Sequence, residues 1–158
     1  SEQDVQDIYL IRARLEGLCA RMAAERIDES TLEEMEETMM LTAFHEEHGH
    51  YDQLFKLDSR FHSLLYEACK SKILEHELKI FHQYVQQVRK NALKKEARAE
   101  QSTKEHMAVM EAIKAHNADE ADRLATRHIL NSIKNHHYTK IEKLLEEQPG
   151  GDVSSDEE

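Results

Sequence analysis

Proline and glycine are almost missing from this 158-residue chain. The one proline, Pro149, and two of the four glycines, Gly150 and Gly151, fall at its C-terminal end. Strands and hairpins depend on such residues at their turns and edges. A sequence dominated instead by Leu, Ala, Glu, Lys and Met reads as all-α. Its length fits one domain with a real core. No stretch is apolar for long enough to span a membrane, and nothing at the N-terminus reads as a signal peptide.

Apolar spacing predicts six helices. The first runs from about Val5 to Arg26, with Ile8, Ile11, Leu15, Leu18 and Met22 on one face. Ser30 and Glu33 form a capping-box pattern that opens the second, which carries Leu32, Met35 and Met39 and ends near Gly49. The third spans about Tyr51–Lys70. The fourth, about Ile73–Lys95, shows Leu78, Phe81, Val85 and Val88. Ser102 and Glu105 form a second capping-box pattern before a fifth helix that ends near His116–Asn117. The sixth runs from about Asp119 to Glu146. Short connections imply antiparallel neighbours in a compact bundle. Residues 1–147 therefore read as one helical domain, and 148–158 as an acidic tail expected to be disordered.

The net charge of −11 has the wrong sign for binding nucleic-acid phosphates. Two cysteines in apolar helical patterns, Cys19 and Cys69, suit a reducing cytoplasm better than a disulfide framework.

Four polar residues break the apolar pattern. Asp58 and His62 lie one helical turn apart on the stripe of Leu54, Phe61 and Leu65. His106 is in phase with Val109, Met110 and Ile113. His128 is in phase with Ala121, Leu124, Ala125 and Ser132. Burying such groups unsatisfied costs roughly 2–7 kcal/mol each. One divalent transition metal would satisfy all four, and zinc, nickel, manganese, iron or cobalt would suit three nitrogens and one oxygen. Hydrogen-bonded core histidines and a local Asp–His pair are the alternative.

These residues carry a resemblance. Asp58-Ser-Arg-Phe61-His62, Glu105-His106 and the stretch from Ala121 to His128 resemble the FCD domain, the effector-binding domain of FadR-type members of the GntR transcription regulators. Ile8–Ile27, with Arg12, Leu15, Glu16 and the Ala23-Ala24 pair, is similar to its first helix, and Glu105–Ile129 to its last two. The resemblance implies an antiparallel bundle of six or seven helices and a buried divalent metal held by Asp58, His62, His106 and His128. It also implies a small organic acid as effector, its carboxylate near the metal and an arginine, and homodimerisation. Family members carry a winged helix-turn-helix ahead of this domain. These residues begin at the first FCD helix, so they are expected to be a fragment or a stand-alone effector domain, and DNA binding is not assigned to them.

Arg12 and Arg89 are the candidate effector contacts. Arg12 alternatively forms an exposed ion pair with Glu16, and Arg89 alternatively joins Lys90, Lys94 and Lys95 in solvent. Tyr66 and Tyr84 either line a pocket or pack. His45, His48 and His50 read as a solvated loop, His136 and His137 as exposed, and Met39, Met40, Met107 and Met110 as flexible filler. The leading reading is a non-enzymatic metal- and carboxylate-sensing domain. The competing one is a metal-dependent hydrolase, for which no general base or leaving-group acid stands out. A metal-free interaction module is a third.

Overall fold

The computed structural model describes residues 1–89 and 96–133, excluding the side chains of Glu2, 87–89 and 96–98. Six helices make up this part: α1 (Glu2–Arg26), α2 (Glu29–Glu47), α3 (Tyr51–Ala68), α4 (Lys72–Arg89), α5 (Glu96–Lys114) and α6 (Ala118–Ile133). The all-α expectation holds, and no strand occurs among the described residues. The expected ends of the fourth and sixth helices, the tail, and His136 and His137 lie outside them.

Two reversals set the bundle. After α2, Gly49 takes φ 66°, its N–H reaches Glu46 O, and His50 N–H reaches back to His45 O. After α5 the same closure recurs with His116 at φ 54°, whose N–H bonds Ile113 O while Asn117 N–H bonds Ala112 O. Both are Schellman turns, which satisfy the last carbonyls of a helix. Asn117 then caps α6, its Oδ1 accepting from Glu120 N–H at 3.2 Å. His116 Nδ1 meets Ala24 O at 2.8 Å, tying this turn to the end of α1.

Both capping-box expectations in the middle of the chain fail. Asp28, not Ser30, caps α2, its carboxylate accepting from Thr31 N–H at 2.8 Å. Lys70 also donates to that carboxylate. Ser102 lies inside α5 and is buried, because the helix has already begun by Glu96. Ser1 and Asp4 form the real capping box, so α1 begins before Val5.

The inward face of α1 also differs from its apolar stripe. Ile11 and Leu18 face solvent, whereas Tyr9, Arg12, Ala13, Glu16, Cys19, Ala20, Ala23 and Ala24 are buried. Close approach explains this, since small residues let α1 lie tight against α6, its most extensive partner. A Cβ on Gly17 would collide with Thr126 Oγ1 and the Asp122 carboxylate and stand 3.1 Å from the Asp122 carbonyl. Arg21 spans the same seam, donating to Asp122 at 3.0 Å and Asp119 at 2.6 Å. Gly17→Ala gains about 1 kcal/mol of helix propensity but meets an overpacking cost of about 1–3 kcal/mol. The net expectation is a loss of about 1 kcal/mol in urea unfolding; a gain would show that α6 moves aside freely.

Two apolar clusters fill the interior. The larger joins α1, α2, α3, α4, α5 and the start of α6, and the smaller surrounds Tyr9, Val85, Ile129 and Ile133. Along α1, Glu16 falls between Ala13 of the smaller cluster and Cys19 of the larger. His82 falls likewise between Leu78 and Val85, and His128 between Ala125 and Ile129. The polar site occupies the seam between the two.

Candidate metal centre

The structure brings the four sequence-derived residues to one point from α3, α5 and α6. One ring nitrogen from each of His62, His106 and His128 lies within 4.8 Å of the other two. Asp58 Oδ1 stands 3.8 Å from His62 Nε2 and 3.6 Å from His106 Nε2. His106 Nε2 and His128 Nε2 approach to 2.9 Å. The three imidazoles are buried, and His106 stacks on Phe61 with ring centroids 4.3 Å apart.

Carboxylates behind the rings decide which nitrogen faces inward. Glu16 Oε1 lies 2.6 Å from His62 Nδ1, and Glu105 Oε1 lies 2.8 Å from His128 Nδ1. A carboxylate accepts, so each Nδ1 carries the proton and each Nε2 turns a lone pair to the centre. Asn131 Nδ2 donates to the other oxygen of Glu105 at 2.8 Å. Carboxylate-backed histidines of this kind are the usual support of metal ligands. His62 Nε2 is buried with no hydrogen-bond partner, which is costly unless an ion uses its lone pair.

Charge points the same way. Among the described residues, the carboxylates of Asp58, Glu16 and Glu105 surround the three imidazoles, negative charge that a divalent ion would offset. The donor set fits a divalent transition metal.

Four residues of this site escaped the sequence reading. Sequence reading makes Glu16 an exposed partner of Arg12 and part of the first-helix resemblance, and Glu105 a cap and part of the Glu105-His106 match; it leaves Tyr66 between pocket and packing and does not single out His82. Arg12 and Glu16 do pair, at 3.5 Å, but both are buried. Burial alone would raise the Glu16 pKa; the charge of Arg12, then that of His62 and its hydrogen bond, hold it well below the usual carboxylate range. Tyr66 OH donates to Glu16 Oε2 at 2.9 Å, and Arg12 Nη2 donates to His82 Nδ1 at 2.9 Å. His82 was legible, since it continues the buried series Leu74, Leu78 and Val85 along α4. The Arg89 side chain lies outside the described residues.

Burial first, then the charges of His62 and Arg12, push His82 from 6.5 down to about 3. Between these values the unfolded chain holds a proton that the folded chain lacks, so stability is lost on acidification through that window. His82→Asn is expected to remove about one proton from the slope of stability against pH, about 1.4 kcal/mol per unit. Urea titrations between about pH 4 and 6 measure it, and parallel slopes would assign the acid sensitivity elsewhere.

A cleft between α2, α3 and α5 reaches the centre from outside. Asp58 and His106 line it together with Thr42, Tyr51, Ser102 and Thr103.

The fold agrees with what known proteins show. The FCD domain model matches residues 7–131, and the chain belongs to that family. The HTH-type transcriptional regulator YdhC of Bacillus subtilis (strain 168) is 27% identical over 146 residues, 92% of this chain and 63% of that protein. The HTH-type transcriptional repressor RspR of Escherichia coli (strain K12) is 25% identical over 129 residues, 82% of this chain and 57% of that protein. Such relatives are GntR-type regulators, and this chain spans about three fifths of their length. The E. coli McbR/YncC structure superposes with a TM-score of 0.73 at 17% identity, covering 85% of this chain and 65% of that one, and shows the shared fold.

Proposed function

We propose that this chain is the effector-sensing part of a cytoplasmic transcription regulator. It holds one divalent transition metal, zinc, nickel or manganese, through Asp58, His62, His106 and His128. The observation that carries this is the buried His62 Nε2, without a hydrogen-bond partner, facing the nitrogens of His106 and His128. When bound, the ion supplies a fixed positive charge that a carboxylate can approach.

The effector is a small organic acid. Its charge would meet the ion and Arg12, whose Nη1 is buried with no hydrogen-bond partner; Arg89 is the second candidate contact. Effector binding favours one arrangement of the helices and so biases a DNA-binding domain that these residues do not include. Each curated relative named above is a regulator, which favours sensing over hydrolysis. No helix among the described residues is long and apolar enough to cross a membrane. Exposed Ile73, Ile80 and Tyr84 on α4, with Ile11 and Leu18 on α1, favour a homodimer.

Native mass spectrometry with elemental analysis tests the reading. One transition metal per chain at dimer mass is expected. Small carboxylates should raise the melting temperature of the metal-loaded protein without being consumed, and should lose that effect in chelator. A chain that stays metal-free when offered zinc, nickel and manganese would end the proposal, and turnover of the acid would favour the hydrolase.

A further inference from the structure

We propose that Glu16 and Arg12 make α1 the reporter of the metal centre, a helix that contributes no ligand yet is repositioned by occupancy. The inference rests on reading the centre as a metal site and adds how that site communicates. His62 is the hinge of the argument. Its Nε2 faces the centre, and its Nδ1 is held by Glu16 at 2.6 Å. The same carboxylate is shared with Tyr66 OH at 2.9 Å and paired with Arg12 Nε at 3.5 Å. Arg12 continues to His82 of α4 at 2.9 Å. His62, Glu16, Tyr66 and Arg12 are all buried to within 1% of completely.

An imidazole that gives its Nε2 lone pair to a cation becomes a stronger donor at Nδ1. Occupancy therefore draws Glu16 toward His62 and away from Tyr66 and Arg12. In a dry interior this redistribution is not screened by water, and the cost of a misplaced charge is high. Glu16 and Arg12 lie one turn apart on one helix, so a shift of the carboxylate is borne by the α1 backbone. Glu105 provides the contrast. It backs His128 and accepts from Asn131, both on α6.

Hydrogen exchange on the full chain, with and without saturating Zn2+, reads this out, with zinc affinity measured by chelator competition. In the wild type, zinc is expected to slow exchange in α3, α5 and α6 and also around Arg12–Cys19. Glu16→Gln should bind zinc about 10- to 100-fold more weakly. At saturation it should keep protection in α3, α5 and α6 and lose it in α1. Glu105→Gln should weaken zinc comparably and keep α1 protection. Should Glu16→Gln fail to fold, Glu16→Asp preserves the charge opposite Arg12 while withdrawing the carboxylate from His62 by one methylene, and the same loss in α1 is expected. Full α1 protection in the foldable Glu16 variants, or its equal loss in Glu105→Gln, would overturn the proposal. A wild type that binds zinc and protects α3, α5 and α6 but not α1 would also overturn it. No zinc binding at all would remove the metal reading beneath it.

Discussion

Changing His106 or His128 to alanine is expected to empty the centre and lower the melting temperature in the same step. A ligand that binds only the folded chain stabilises it by RT ln(1 + [L]/Kd), about 4 kcal/mol at a thousandfold excess over Kd. In a chain of this size each kcal/mol is worth roughly 2–4 °C, so a fall of about 8–16 °C should follow. Chelator should produce a similar fall in the wild type and little further change in either variant. Elemental analysis beside differential scanning calorimetry decides it. Full metal content in both variants would sink the ligand assignment. Proton competition sets the pH dependence, because ligating imidazoles must be neutral, and affinity should fall as the pH is lowered.

Arg12→Leu should destabilise the protein by about 3–5 kcal/mol even without effector, because it strands the buried Glu16 carboxylate. The double variant with Glu16→Gln should recover much of that loss, since the uncompensated charge is gone. Denaturant unfolding of the four proteins gives the coupling directly. Were Arg12 only a contact for the effector, the single change would leave the metal-free protein about as stable as before. A structural duty does not exclude an effector contact, because Nη1 has no internal hydrogen bond to surrender.

Helical phase carried the candidate ligands. Asp58, His62, His106 and His128 each occupy a position where an apolar side chain was due, and local spacing places such residues on a core-facing stripe. The residues behind them were hidden for a physical reason. Arg12 with Glu16, one turn apart, has the spacing of an ordinary surface ion pair. Only the packing of α3, α4 and α6 around α1 removes that pair from water. Glu105 satisfied a capping pattern because Ser102 preceded it by three residues, although α5 had already begun.

The inward face of α1 departs from its apolar stripe for a related reason. Periodicity follows the largest apolar side chains, Ile11 and Leu18, whereas the seam with α6 demands the smallest, Ala13, Gly17 and Ala20. Bulk points outward there because nearness of the two backbones was favoured instead.

That seam joins the first described helix to the last, about a hundred residues apart in the chain. During synthesis α1 leaves the ribosome about a hundred residues before its principal partner α6. Until then Arg12 and Glu16 stay hydrated, and the centre cannot assemble, because His128 has not yet been made. Long-range closure of this kind is slow relative to the local hairpins α2–α3 and α5–α6. The nascent chain thus passes through a stage of formed hairpins with α1 undocked, and the four candidate ligands come together only after α6 has been made.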